Sequence, residues 1–158
     1  MSEFDQNIAL GRELFGDTLD SYERSAQSLL ESWDQDFSDA ALTELDQILL
    51  RAYGLESDYA DKVLGALGLP VPEEAEYVTM LLGQALVATG QWEWALVWAP
   101  PKIPGEITFT YCLARADHEQ LLFPGSWVKM AVFGTAPEEP LDAAPGLAWA
   151  LGSARDYL

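Results

Sequence analysis

The residues able to do chemistry are few and scattered. The single histidine, His118, sits between Asp117 and Glu119. Flanking carboxylates raise the pKa of an imidazole and can orient its ring, as a general base requires. A lone histidine in a turn is, however, most simply a solvated one. Glu93 and Tyr111 are the other polar groups that a scattered catalytic set would draw on first. The single cysteine, Cys112, offers the only thiol to pair with His118. It falls in an alternating apolar run, and free cysteine is among the most buried residue types, so a core position is the simpler expectation. Asp34, Asp36 and Asp39 cluster in sequence. Calcium loops alternate such carboxylates around a glycine and close on a distal glutamate. Here the glycine is missing and Phe37 interrupts, which leaves capping and surface charge. Glu73, Glu74 and Glu76 suggest half of a hydrolase acid–base pair. Negative charge in the first turn of a helix also complements the helix dipole, with fewer assumptions. No HExxH, CxxC or glycine-rich phosphate loop occurs. The expectation is no catalytic residue, no metal and no cofactor.

The elements that would position these residues change character midway. Leu19, Tyr22, Ala26, Leu29, Leu30 and Trp33 recur at helical spacing, with Asp20 and Glu23 as a capping box. A separate helix over Phe4 to Phe15 is weakened by Gly11. Ser38 caps a helix from Asp39 to Tyr53, which stops at Gly54. A short helix after Ser57 directs Val63, Leu64 and Leu67 inward. Leu69-Pro70-Val71-Pro72 is an extended connector, because each proline pushes its predecessor out of the helical region. The helix from Pro72 to Gly90 is the most apolar. Gln91 to Trp98 then reads as a strand, Ile107 to Leu113 as a second and Gln120 to Phe123 as a third. Residues 99–105 form a proline-rich loop. Ser126 caps a short helix and Gly146 to Tyr157 forms the last. The fold class is α+β: N-terminal helices packed with a small antiparallel sheet of at least three strands in the C-terminal half, in a single domain over residues 1–158.

The charge balance is lopsided, with 26 Asp and Glu against 8 Lys and Arg, a net of −18. Residues 1–90 carry 18 acids and 4 bases, so the N-terminal part holds most of the field. Such a surface repels phosphate backbones and anionic membranes, and excludes ordinary nucleic-acid binding. It attracts and steers a basic protein partner. One cysteine allows no internal disulfide, and the start lacks the basic and apolar regions of a signal peptide, so cytoplasmic residence is expected. Trp92, Trp94 and Trp98 share a strand face. They are either the sheet's contact with the Pro72–Gly90 helix or an exposed anchor surface, since tryptophan favours both cores and binding hot spots.

Gly83-Gln84-Ala85-Leu86, Trp92 to Trp94, and Phe123-Pro124-Gly125-Ser126-Trp127-Val128 together resemble a group of small uncharacterised bacterial domains over roughly residues 72–135. In size and charge the whole chain is similar to the acidic immunity proteins of bacterial toxin systems. That likeness implies a non-enzymatic module that binds and occludes a basic toxin, with no fold attached. The expected partner-binding residues are Asp34, Asp36, Asp39, Glu73, Glu74 and Trp98. The alternative is an enzyme or small-molecule-binding protein with a tryptophan-lined pocket, drawing on His118, Glu93 and Tyr111. The oligomeric state is not readable from these residues.

Overall fold

The computed structural model describes residues 2–99, 108–115, 117, 119–135, 139 and 141–158. Among these the fold is α+β, with six α-helices and one three-stranded antiparallel sheet in the C-terminal half. The chain divides into two compact units. One comprises Met1–Ser32 and Leu81–Pro124, the other Trp33–Met80 and Gly125–Leu158. No helix among the described residues is long and apolar enough to cross a membrane. His118 and residues 100–107, which include most of the expected proline loop, lie outside the described residues.

The first unit holds the sheet, in the order β1 (Glu93–Ala99), β2 (Thr108–Arg115), β3 (Gln120–Leu122). Trp94 lies opposite Leu113, Leu96 opposite Tyr111 and Trp98 opposite Phe109. The other face brings Ala95, Val97, Cys112 and Ala114 into a buried cluster covered by Phe4, Ile8 and Leu121. Phe4 and Ile8 belong to α1 (Glu3–Ser32). β1 is an edge strand, and an open edge of unpaired peptide groups is a liability. Here α1 covers it. The Trp98 N–H donates to Asn7 Oδ1 at 3.3 Å, and the Trp94 carbonyl accepts from Arg12 Nη2 at 3.4 Å. Between them Gly11 lies so close that a Cβ there would stand 1.8 Å from the Leu96 carbonyl oxygen.

The two N-terminal helices expected from sequence are present and run on from one another within Glu3–Ser32, meeting at a kink at Phe15, whose φ of −132° and ψ of 27° leave the helical region. Asp20 therefore caps nothing and lies within α1. The bend has a visible consequence: Arg12 Nη2 reaches Glu23 Oε1 at 3.6 Å. In a straight helix residues that far apart are separated by about 16 Å along the axis. Beyond the bend α1 lays Phe15 and Tyr22 on the tryptophan face of the sheet, where Phe15 meets Phe109 at 4.9 Å and Tyr22 stacks on Tyr111 at 3.8 Å.

The second unit is helical. In α2 (Asp39–Ala52), the Ser38 hydroxyl accepts from the Ala41 N–H at 3.3 Å, as the sequence predicts. Its apolar face buries Leu42, Leu45 and Leu49. α3 spans Tyr59–Ala66 and its Tyr59 hydroxyl donates to the Val132 carbonyl. α5 spans Pro124–Phe133. It starts two residues earlier than the expected Ser126 cap, because proline is well suited to a first helical turn. Phe133 meets Tyr53 edge-on at 5.2 Å. α6 is short, Leu147–Leu151, and passes into a 3-10 helix over Gly152–Tyr157, where Gly152 takes a left-handed φ of 54°. α4 (Glu73–Val87) runs from the second unit into the first.

Asp46 of α2 ties α6 in place by accepting the Leu147 N–H on Oδ1 at 2.8 Å. Burial pushes this carboxyl above its ordinary value of 3.8, partly offset by that hydrogen bond. A carboxyl raised on folding contributes most below its unfolded value, and this contribution is lost as pH rises through the folded value. Asp46→Asn keeps an acceptor and removes the charge. It should be at least as stable as the parent at pH 7 in urea denaturation, with the gap closing as pH falls through the raised value and gone below 3.8. Asp46→Ala should lose about 1 kcal/mol through the lost cap.

The α1–β1 contact gives a second test. Gly11→Ala should cost about 3 kcal/mol, because the Cβ meets backbone that cannot turn aside. Gly16→Ala, whose Cβ meets nothing within 4 Å, should instead stabilise by up to about 1 kcal/mol. Thermal melts of both variants check the pair.

Candidate functional site

The strand tryptophans divide between core and surface. Trp94 is 1% exposed. Its indole N–H donates to Gln84 Oε1 at 2.9 Å, and Tyr22 meets its ring edge-on at 5.0 Å. Gly83 makes room for the ring: a Cβ there would stand 2.2 Å from Trp94 Cη2 and 3.2 Å from Pro124 Cγ. Thus Gly83, Gln84, Trp94 and Pro124, all within the segments singled out in the sequence, converge on one aromatic packing site. For Trp94 the contact with the Pro72–Gly90 helix is the right reading. Trp92 precedes β1 and is buried, with an indole N–H that has no hydrogen-bond partner among the described residues. Trp98 is different. It is 48% exposed, beside the half-buried Phe109.

Of the scattered polar set, Glu93 and Tyr111 are not brought together. Glu93 lies opposite Ala114, and Tyr111 opposite Leu96, so their side chains leave opposite faces of the sheet. Burial raises the Tyr111 phenol above its ordinary value, which keeps it neutral. Cys112 is wholly buried, and burial pushes its thiol up to about 12. Only the thiolate is a competent nucleophile, and this thiol is neither ionised at neutral pH nor reachable. Among the described residues no three histidine, cysteine, aspartate or glutamate side chains converge as a metal site.

The acids sit at the surface of the second unit. Asp34 and Asp36 lie between α1 and α2 and Asp39 opens α2, all exposed. Asp36 Oδ1 accepts the Ser38 N–H at 3.1 Å, and Asp39 pairs with Arg155. Two of the three are therefore engaged in local structure. Glu73 and Glu74 open α4 and are exposed. Glu73 accepts from the Tyr77 hydroxyl, and that bond, followed by the charge of Glu73, raises the Tyr77 phenol above its ordinary value.

One surface is invisible to periodicity. Leu64 and Leu67, assigned inward from the helical pattern, point outward instead. With Leu69, Val71 and Tyr77 they are between 40% and 59% exposed. α3 buries only Val63 and Ala66, a narrower face than the pattern requires. Five large apolar side chains thus stand open within fourteen residues, immediately before and beside Glu73, Glu74 and Glu76. The same unit has two shallow hollows. One, of about 370 Å³, is lined by Leu67, Lys129, Met130 and Phe133. The other, of about 470 Å³, is lined by Glu139, Leu141, Asp142 and Trp149. Gly134 and Thr135 line both.

No protein-family model, curated protein or solved structure matches this chain.

The split between Trp94 and Trp98 is measurable. Trp94→Ala should cost about 4 kcal/mol, the range for truncating a buried large aromatic. Trp98→Ala should cost under about 1 kcal/mol. Equal losses in denaturant titrations of the two variants would contradict this division.

Proposed function

We propose that this chain is a non-enzymatic protein-binding module that docks and occludes a basic protein partner, in the manner of a cytoplasmic immunity protein or inhibitor. The observation that carries the reading is the open apolar stretch from Leu64 to Tyr77 beside three exposed glutamates. Monomeric proteins seldom leave a cluster of large apolar side chains in water without a use for it. The second unit, where this stretch lies, has fifteen acids against four bases. Charge of one sign speeds the encounter with an oppositely charged partner, and a few buried apolar anchors hold the complex. Glu73 and Glu74 flank the apolar stretch directly. Asp34, Asp36 and Asp39 extend the same field along the α1–α2 loop. Trp98 offers a separate aromatic anchor in the first unit.

The test is affinity capture from the native host at low and high salt, followed by mass spectrometry and rate measurements on whatever is held. A basic protein should be retained, with an association rate that falls about tenfold or more between 0.05 and 0.5 M salt as exposed charges are screened. Glu73→Lys with Glu74→Lys should slow association, and Leu69→Ser with Val71→Ser should speed dissociation. Retention of a partner indifferent to both double variants and to salt would refute the reading.

A further inference from the structure

We infer that the two adjoining hollows of the second unit form one polarised groove for a cationic amphipathic segment of the partner, with a Lys or Arg side chain over Trp149 and an apolar side chain between Leu67 and Met130. This rests on the protein-binding reading and makes it specific. The hollows adjoin, since Gly134 and Thr135 line both. Their ends differ in chemistry. At one end Trp149 is half exposed, carried on α6, whose Leu147, Ala150 and Leu151 are buried. Glu139 and Asp142 line the same hollow, and among the described residues no basic side chain does. A half-exposed indole lining the same hollow as two carboxylates suits an ammonium or guanidinium group. At the other end Leu67, Met130 and Phe133 make an apolar lining, and the one charge there among the described residues is Lys129. A cation is repelled from that end and attracted to the other, so charge complementarity fixes which way round the segment lies. Leu64, Leu69 and Val71, near Leu67 in sequence, are exposed in the same unit. An acidic or purely aliphatic occupant would leave Glu139, Asp142 and Trp149 without a counterpart.

The probe is a short synthetic peptide of leucine and arginine at helical spacing, titrated into the full chain. Two controls accompany it: the same peptide with glutamate for arginine, and leucine-free oligo-arginine. The readout is the Trp149 indole N–H signal by nuclear magnetic resonance, assigned by its disappearance in Trp149→Phe, with dissociation constants from the titration. The leucine–arginine peptide should move this signal and the glutamate peptide should not. Trp149→Ala should weaken binding about fivefold, the scale of one cation–π contact. Glu139→Gln with Asp142→Asn should weaken it about tenfold and flatten its salt dependence, as loss of exposed charge partners predicts. Leu67→Ser should weaken the leucine–arginine peptide several-fold and leave oligo-arginine unchanged. Cationic peptide binding that leaves the Trp149 signal still and ignores these variants would overturn the groove while sparing the wider docking reading. Failure of either cationic peptide to bind, with the variants folded, would overturn the groove; only partner capture that also ignores the Glu73 and Glu74 reversal would overturn docking itself.

Discussion

The open edge of β1 is the constraint on which the first unit depends. A three-stranded sheet has two edges, and among the described residues the β1 peptide groups at Trp94, Leu96 and Trp98 have no strand on their outer side. Satisfying them with a helix demands a donor or acceptor at the right interval and a position with no side chain between. Asn7, Gly11 and Arg12 meet that demand within two turns of α1. A glycine that weakens a helix in isolation is thus what allows the helix to lie against the strand. The bend at Phe15 follows from the same geometry. α1 covers one sheet face with Phe4 and Ile8 and the other with Phe15 and Tyr22, which a straight rod could not do. The box around Trp94, closed by Gly83, Gln84 and Tyr22, is the interior this wrapping creates.

Among the described residues, little reactive chemistry is in reach. Cys112 is sealed under Phe4 and Ile8 on the sheet face away from Trp94 as an un-ionised thiol, and Glu93 and Tyr111 diverge across the sheet. What the exterior offers is charge and grease. The acids are spread over helix starts and loops where they also do local work, as Asp36 does for the Ser38 N–H and Asp39 for Arg155. Double duty of this kind suits a surface whose field, more than any one carboxylate, attracts a partner. On the docking reading proposed above, affinity comes from desolvated apolar side chains, and the second unit exposes such side chains at Leu64 to Tyr77 and in the hollows beside Phe133 and Trp149.

Much of the architecture is legible from local signals. Ser38 caps α2, the glutamates at 73, 74 and 76 open α4, and alternation marks β2, because each depends on neighbours within a few residues. The misreadings share a cause. Asp20 with Glu23 has the form of a capping box, but α1 runs through it because a tertiary contact at Gly11 and the bend at Phe15 set that helix's course. Leu64 and Leu67 have helical spacing, but a helix as short as α3 buries one narrow stripe, through Val63 and Ala66. The site follows the same division. Glu73 and Glu74 stand out by composition, whereas the groove depends on residues of α5 and α6 coming together with Gly134, Thr135, Glu139 and Asp142. The one local clue to it is a tryptophan, Trp149, in a short helix close to the C-terminus.

The most direct measurement is hydroxyl-radical footprinting of the free chain, read residue by residue by mass spectrometry. The account predicts that Leu64, Leu69, Val71 and Trp149 oxidise at rates close to those of an unfolded control while Trp94 is almost untouched. Protection of these outward residues to the level of Trp94, unchanged on dilution, would mean that the surface assigned to a partner is already covered by the protein itself.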